Sequence, residues 1–427
     1  MTGLFFLFSL FISGLAYNLY RPIYRHPGLS VASFLSGWLV GELALHHIAL
    51  QIFIVFLFAW AGVIHGLLGA LALMLCIASW LGMGWFYVRG DAAKPQMQQA
   101  LTMALGADYE SQIRAAQRAH FPDGPDFEKI KDPRHSIHPR VEVLKHIAFG
   151  QHGQKLDIYR PRRELTNSPV LLQIHGGAWT EKMGSKNEQA IPLMSHMALR
   201  DWICVSIDYR LSPTATFPEH IIDCKEGLAW VKTHIQEYGG NPDFIIVTGG
   251  SAGGHLCSLL ALTPNDPAFQ PGFEEIDTQV QGAVPFYGVY DLTDQYQLQK
   301  NTAQRELFET SVLKIPFEGN LDQYQAASPQ YRINAAAPPF LIIHGDKDSL
   351  VPIESARMFA EKLKDVSTQP VAFAEISDAQ HAFDMFASLR SEHVKHGVER
   401  FLAYQYSQYL AQSQNHDVTQ STIDPGA

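Results

Sequence analysis

The sequence predicts an α/β fold in which a doubly wound, mostly parallel sheet is preceded by N-terminal transmembrane helices. Residues 1–90 are almost entirely apolar, whereas the remainder of the 427 residues has an ordinary globular composition. From residue 140 to residue 410, short apolar runs alternate with helical segments, as in a parallel sheet with crossover helices. A glycine-flanked serine, Ser251, lies between one such run and one such helix.

We expect four regions along the chain. A membrane region covers residues 1–90, a helical linker that could act as a lid covers 91–139, a catalytic domain covers 140–412, and a disordered polar tail covers 413–427. The net charge of −10 does not suggest a nucleic-acid partner. The four cysteines lack the spacing of a metal site or a disulfide framework, and we expect the chain to need no metal and no organic cofactor.

Three apolar runs in the membrane region, at about 4–20, 46–64 and 67–88, approach the length that crosses a bilayer. A cleaved signal peptide is an alternative for the first run, and a buried soluble bundle is an alternative for the whole region. The segment 33–45 contains Glu42, and a carboxylate at the bilayer centre costs about 2.5–3.5 kcal/mol. We therefore expect this segment to be interfacial, re-entrant or packed inside the bundle, with a fourth span as the alternative.

The charges beside these runs predict the topology of a multi-pass membrane protein. With three spans, the loop of Arg21 and Arg25 lies on the same side as Arg89 and Lys94. The positive-inside rule then places the catalytic domain in the cytoplasm. A fourth span would reverse this orientation.

Eight strands and four main helices are predicted beyond the linker. The linker itself is expected to hold two short helices, and its histidines, His135 and His138, are interpreted as solvated loop residues. The first two strands form a hairpin and the later, continuously apolar ones are central parallel strands. The predicted strands are 141–149, 155–159, 170–174, 202–207, 244–248, 280–286, 340–343 and 371–374, and the helices are 221–238, 256–262, 354–363 and 391–409.

The motif Gly249-Gly250-Ser251-Ala252-Gly253 predicts a nucleophile elbow. The turn from strand to helix is so tight that Ser251 must adopt a strained backbone conformation. A side chain at Gly249 or Gly253 would crowd the neighbouring elements. The hydroxyl of Ser251 then stands at a helix N-terminus, where the amide of Ala252 points toward developing negative charge.

Candidate partners of Ser251 follow two later strands. Asp346 and Asp348 come after the strand 340–343, and either carboxylate could orient a histidine. We favour Asp348 and expect Asp346 to cap the turn. His381 follows the last strand and is the candidate general base, since the order Ser, Asp, His then has each member after its own strand.

The segment His175-Gly176-Gly177-Ala178-Trp179 directly follows the strand 170–174. Its glycines let backbone amides face the site without a Cβ in the way. We expect backbone amides of this loop, together with the amide of Ala252, to hold the oxyanion of a tetrahedral intermediate. His175 and Gly176 are expected to support this loop, His175 through a hydrogen bond.

These motifs resemble those of the hormone-sensitive-lipase-like branch of the α/β-hydrolase carboxylesterases, and they are similar to those of its isoprenylcysteine methylesterase and kynurenine formamidase relatives. The resemblance covers about residues 140–410 and implies Ser251 as nucleophile, Asp348 as orienting acid and His381 as base. It also implies that the oxyanion donors are the amides of Gly177, Ala178 and Ala252. Ala178 replaces the usual third glycine of the loop. Trp179 matches the methylesterase and formamidase variant, which leaves the acyl preference open. The motifs also include Asp208-Tyr209-Arg210-Leu211-Ser212-Pro213 and Tyr238-Gly239-Gly240-Asn241-Pro242-Asp243.

The function predicted is therefore a membrane-anchored serine carboxylic ester hydrolase that acts on small or lipid-like esters through an acyl-enzyme. One alternative is an amide-directed hydrolase of the formamidase or peptidase type, which Trp179 keeps open. Another is a catalytically silent hydrolase fold used for binding, and a third is a transporter with an appended hydrolase. The physiological ester and the oligomeric state are not predicted by the sequence.

Overall fold

The computed structural model describes residues 1–133 and 137–423. The interpretation of His135 as a solvated loop residue therefore lies outside the described residues. One eight-stranded sheet runs through the described part of the chain, in the order β1-β2-β4-β3-β5-β6-β7-β8. The strands are β1 Val141–Ala148, β2 Lys155–Pro161, β3 Ser168–Ile174, β4 Ile203–Ile207, β5 Gly240–Gly250, β6 Gly282–Phe286, β7 Phe340–Gly345 and β8 Val371–Ile376.

The sheet is antiparallel only at its β1 edge, where β2 pairs with both β1 and β4 in the antiparallel sense. The other neighbouring pairs are parallel. The predicted doubly wound, mostly parallel sheet is thereby confirmed. Parallel strands bring their carboxyl ends to one edge of the sheet, so β3, β5, β7 and β8 deliver the loops that follow them to a common place.

Fifteen α-helices lie in the described residues. The first four, α1 Thr2–Tyr20, α2 Pro27–Glu42, α3 Ala44–Trp60 and α4 Gly66–Arg89, make up the predicted membrane region, which is called the membrane region below. The others are α5 Ala93–Leu105, α6 Tyr109–Gln112, α7 Ala115–Arg118, α8 Phe127–Lys131, α9 Ile191–Ala198, α10 Glu219–His234, α11 Ala252–Leu262, α12 Ala303–Leu307, α13 Leu321–Ala326, α14 Ile353–Val366 and α15 Leu389–Ile423.

The two faces of the sheet are covered by different helices. Leu172 and Ile174 of β3 face α10, α11 and α14, whereas Leu171 between them faces α5, α9 and α15. This alternation follows from the period of two in a strand, and burial on both faces explains the continuously apolar run. The linker helix α5 is thus part of the core of the catalytic domain, through Met97 and Leu101. A lid role for residues 91–139 stays a prediction.

Within the residues that the structure describes, two helical segments are long and apolar enough to cross a membrane, Thr2–Tyr20 and the run Gly66–Leu105. The pair α2 and α3 meets the same test only if taken together, and it is bent by 90° at Leu43. Helix α3 starts on the side of the catalytic domain, where His46 Nε2 lies 2.9 Å from the Lys131 carbonyl oxygen. At the opposite end of the bundle, Thr2 Oγ1 donates a hydrogen bond to the Val63 carbonyl oxygen at 3.2 Å.

Helix α2, which contains most of the segment 33–45, packs against both regions. Val40 lies in a buried cluster with Leu19 of α1 and Phe86 of α4, as predicted for packing inside the bundle, and Glu42 finds a buried cation in the catalytic domain. One prediction needs correction. The tail predicted to be disordered from Ser413 is helical as far as Ile423, since no glycine or proline interrupts the chain between Gly397 and Pro425. Residues 424–427 lie outside the described part.

Candidate active site

Ser251 lies between β5 and α11 in a strained turn, with φ 58° and ψ −120°. A Cβ on Gly249 would lie 2.4 Å from the Gly253 carbonyl oxygen, and a Cβ on Gly253 would lie 2.1 Å from the Ile174 carbonyl oxygen. The predicted crowding at both glycines is confirmed. The amide of Ser251 donates to the Phe286 carbonyl oxygen at 3.0 Å, which ties the turn to the end of β6.

Asp348 and His381 form a buried pair at the ends of β7 and β8. His381 Nδ1 lies 2.6 Å from Asp348 Oδ2, and the two side chains are 6% and 0% exposed. The other carboxylate oxygen, Oδ1, accepts the amides of Leu350 at 2.9 Å and Val351 at 2.8 Å. These bonds fix the carboxylate, which in turn fixes the tautomer and orientation of the imidazole by holding Nδ1–H.

The environment of Asp348 favours its ionised form. Burial opposes the charge, but His381 and the hydrogen bonds of His344 and His381 outweigh it and hold the pKa of Asp348 well below its usual value. His344 Nε2 lies 3.2 Å from Asp348 Oδ2 and 3.0 Å from the Val351 carbonyl oxygen. A permanent anion therefore faces His381 and can stabilise an imidazolium.

Asp346, the competing carboxylate, has a different place. Its Oδ1 accepts the amide of Asp378 at 2.6 Å, which joins the loops that follow β7 and β8. Burial raises the pKa of Asp346. The structure thus brings Asp348 to His381 and places Asp346 in the turn.

Two aromatic rings pack on the imidazole of His381. The Tyr287 ring centroid lies 4.6 Å from that of His381, and the Phe34 centroid lies 5.8 Å away, edge-on at 81°. Tyr287 is also wedged against the elbow, since a Cβ on Gly250 would lie 2.8 Å from its hydroxyl oxygen. Tyr287 thus contacts both His381 and the elbow. Within residues 1–133 and 137–423, no hydrogen bond joins Ser251 to His381, and such contacts are often loose before substrate binds.

The loop after β3 lies directly beside Ser251, since a Cβ on Gly176 would lie 3.1 Å from the Ser251 Cβ. Gly177 has φ 113° and its absent Cβ would lie 1.5 Å from the Met183 carbonyl oxygen, so only glycine fits. Ala178 has φ 52°, a left-handed conformation that alanine tolerates at some cost. Across the described ranges, no hydrogen bond occupies the amide of Gly177 or Ala178, so both remain available as donors.

His175 has the kind of contact expected of a loop support. Its Nδ1 donates to the Gly176 carbonyl oxygen at 2.7 Å, and its ring stacks on Tyr209 at 4.5 Å. Burial lowers the pKa of His175 to about 4, so the ring is neutral near pH 7. The amide of Gly176 donates to Gln189 Oε1 at 2.5 Å, a support that no motif indicated.

Trp179 is only 2% exposed and does not line an open site. Its Nε1–H donates to His255 Nδ1 at 3.2 Å, so His255 carries its proton on Nε2 and donates to the Ala327 carbonyl oxygen at 2.7 Å. Burial lowers the pKa of His255 to about 4. Trp179, on which the amide-hydrolase alternative depends, therefore ties the loop after β3 to helix α11.

Sequence patterns did not reveal two residues that touch His381. Tyr287 directly follows β6 at the same edge of the sheet, and this position is a signal that could identify it. Phe34 comes from the membrane region and carries no local signal. In the described part of the chain, no group of three His, Cys, Asp or Glu side chains is placed to hold a metal ion.

The sheet order, the elbow and the loops at the carboxyl ends of the strands are those of an α/β-hydrolase. A family model described as BD-FAE matches residues 156–363. The probable carboxylic ester hydrolase LipM of Mycobacterium tuberculosis is 45% identical, over 93% of this chain and 92% of LipM. Esterase LipQ of the same organism is 41% identical, over 77% of this chain and 78% of LipQ.

Among solved structures, Thermogutta terrifontis esterase 2 phosphonylated by sarin is similar at 25% identity and a TM-score of 0.50. The match covers 67% of this chain and 98% of that one. The chain belongs to the α/β-hydrolase family of carboxylic ester hydrolases that includes LipM and LipQ. Because the match to LipM covers 93% of this chain, the likeness extends beyond the catalytic domain into the membrane region.

Proposed function

We propose that the protein is a membrane-anchored serine hydrolase that cleaves carboxylic esters through an acyl-enzyme. The observation that carries the proposal is the buried Asp348–His381 pair, with 2.6 Å between Oδ2 and Nδ1, at the same edge of the sheet as the strained Ser251. This arrangement supplies a nucleophile, a base and an anion that orients the base. The esterases LipM and LipQ support an ester as the substrate.

In the first half of the reaction, His381 Nε2 takes the proton of Ser251 as Oγ attacks the acyl carbon. The carbonyl oxygen becomes an oxyanion, which accepts hydrogen bonds from the amides of Gly177, Ala178 and Ala252. Collapse of the tetrahedral intermediate breaks the bond to the alcohol oxygen, and His381 gives its proton to the leaving alcohol. Asp348 stays ionised throughout and balances the imidazolium.

In the second half, His381 takes a proton from water, whose oxygen attacks the acyl-enzyme at the same carbon. The oxyanion forms again on the same three amides. Collapse returns the electron pair to Ser251 Oγ, which regains its proton from His381, and the carboxylic acid is released. Every proton is carried by His381, and no redox step or cofactor is required.

We further propose that α1, α3 and α4 cross the membrane and that the catalytic domain faces the cytoplasm. Two contacts support placing the ends of α1 and α4 on one side: Asn301 Nδ2 donates to the Tyr24 carbonyl oxygen at 2.7 Å, and Arg89 pairs with Asp378 at 2.9 Å. The basic residues near both ends favour the cytoplasm. The active site lies on the side of the catalytic domain that faces the membrane region. Lipid-like esters are therefore favoured over freely soluble esters as substrates.

The test is hydrolysis of p-nitrophenyl esters from acetate to palmitate by the detergent-purified protein. Ser251→Ala is expected to lower kcat by on the order of 10⁶, because nucleophile and base act as a unit. Ser258→Ala, in the buried helix that follows, is the matched control and is expected to stay active, since its hydroxyl donates only to the Gly254 carbonyl oxygen. An alkyl fluorophosphonate is expected to label wild type and this control but not Ser251→Ala. Ester hydrolysis that survives in Ser251→Ala would refute the serine mechanism.

A further inference from the structure

Helix α2 of the membrane region lies over the imidazole of His381. Phe34 is 7% exposed and presents its ring edge to His381, with centroids 5.8 Å apart. Trp38, one turn further on, stacks on Phe34 at 5.7 Å and on Phe386 at 5.1 Å. Three aromatic rings thus form a continuous row from the histidine to the loop that precedes α15.

The same helix is bonded to the loop that carries Asp348. Ser349 Oγ donates to the Ser30 carbonyl oxygen at 3.2 Å. In the middle of α2, an ideal Cβ on Gly37 would lie 3.5 Å from Gln380 Nε2, so the helix backs onto this side chain. Gln380 Oε1 accepts the amides of Ser349 at 2.7 Å and His381 at 2.9 Å. Helix α2 therefore contacts Gln380, the residue that joins the loop of Asp348 to the loop of His381.

A buried ion pair anchors the far end of α2. Arg390 Nη1 lies 2.6 Å from Glu42 Oε1, and Ser388 Oγ donates to Glu42 Oε2 at 2.5 Å. The Arg390 and Glu42 side chains are 3% and 1% exposed. Such a pair fixes geometry, because separating the partners would leave a charge buried without compensation. Helix α2 is thereby held at both ends and in the middle against the loops of the site.

We infer that α2 is part of the active site and that Phe34 is a positioning residue for the catalytic histidine. The inference rests on the proposed role of His381 as base. Asp348 fixes one edge of the imidazole, and Tyr287 and Phe34 confine the ring from two further directions. Phe34 holds the ring in the orientation that receives the Ser251 proton and keeps water from its surface. The catalytic domain by itself therefore has an incomplete site.

The experiment compares full-length, detergent-purified Phe34→Ala and Phe34→Leu with wild type and with Phe53→Ala. Phe53 is the matched control, since it is 57% exposed on α3 of the same membrane region. With p-nitrophenyl butyrate, Phe34→Ala is expected to lower kcat about tenfold or more with KM within about twofold, the pattern of a lost transition-state interaction. Fluorophosphonate labelling of Ser251 is expected to slow by a similar factor, because it also needs the base.

Phe34→Leu keeps apolar volume without the ring and is expected to recover part of the loss, to about threefold below wild type. This variant decides the question if Phe34→Ala does not fold, as judged by its thermal unfolding. Wild-type kcat in both Phe34 variants, or a loss equal to that of Phe53→Ala, would overturn the inference. A rise in KM at unchanged kcat would also overturn it, since Phe34 would then only bind substrate.

The Ser251→Ala variant separates this inference from the proposed function. If Ser251→Ala is inactive and the Phe34 variants are fully active, only the role of α2 fails. If Ser251→Ala remains active, the serine mechanism itself fails.

Discussion

The catalytic domain and the membrane region use polar residues in opposite ways. In the catalytic domain the proposed catalytic groups, Ser251, Asp348 and His381, lie in loops at the ends of their own strands. In residues 1–90 there is a single acidic residue, Glu42, and it points into the catalytic domain to pair with Arg390. The comparison teaches that a polar residue in an apolar segment can mark where that segment meets another part of the chain.

The largest expected effect separates the two aspartates of the catalytic domain. Asp348→Asn is expected to lower kcat by on the order of 10⁴, because the amide can no longer hold the imidazole in its productive tautomer. Asp346→Asn is the matched control and is expected to stay within about tenfold of wild type, since Asp346 bonds the Asp378 amide. The measurement is kcat on one p-nitrophenyl ester. If Asp346→Asn lowers kcat more than Asp348→Asn does, the acid that orients His381 is Asp346.

The next effect concerns the boundary between the two regions. Glu42→Gln is expected to destabilise the folded protein by about 3–5 kcal/mol, because Arg390 is left as a buried unpaired charge. Denaturant unfolding in detergent, followed by the fluorescence of the seven tryptophans, is the measurement. The double variant Glu42→Gln with Arg390→Met removes both charges and is expected to recover most of the loss. If the single variant is as stable as wild type, the pair does not hold α2 in place.

The smallest expected effect is the pH dependence of the stability of the catalytic domain. His175 and His255 have pKa values lowered to about 4 by burial, below the unfolded value of about 6.5. Between these values the unfolded state binds more protons, so stability falls as pH is lowered from about 6.5 to about 4, by about 1.4 kcal/mol per pH unit for each residue. The free energy of unfolding is measured at pH 7 and at pH 5.5. Its decrease between these pH values is expected to be smaller for His255→Gln than for wild type. An unchanged slope would contradict the burial of a neutral His255.

The sheet and the polar part of the site could be predicted because their signals are local. Ser251 lies in a glycine-rich turn that only one backbone shape allows, and the order of Asp348 and His381 along the chain restricts where each can lie. Phe34 and Tyr287 could not be placed, because their contact with His381 arises when distant elements pack. The sequence indicates that the carboxylate of Glu42 is unfavourable in lipid, but no nearby residue identifies Arg390 as its partner.

The pairing of Glu42 with Arg390 also has a consequence for biosynthesis. The two residues are separated by 348 positions, and His381 itself comes late in the chain. The four apolar helices are therefore synthesised long before their buried carboxylate has a cation to meet. The contacts of α2 with Ser388 and Arg390 form only after the last strand and the start of α15 have been synthesised, so in the proposed membrane arrangement the apolar helices are made before the catalytic centre is complete.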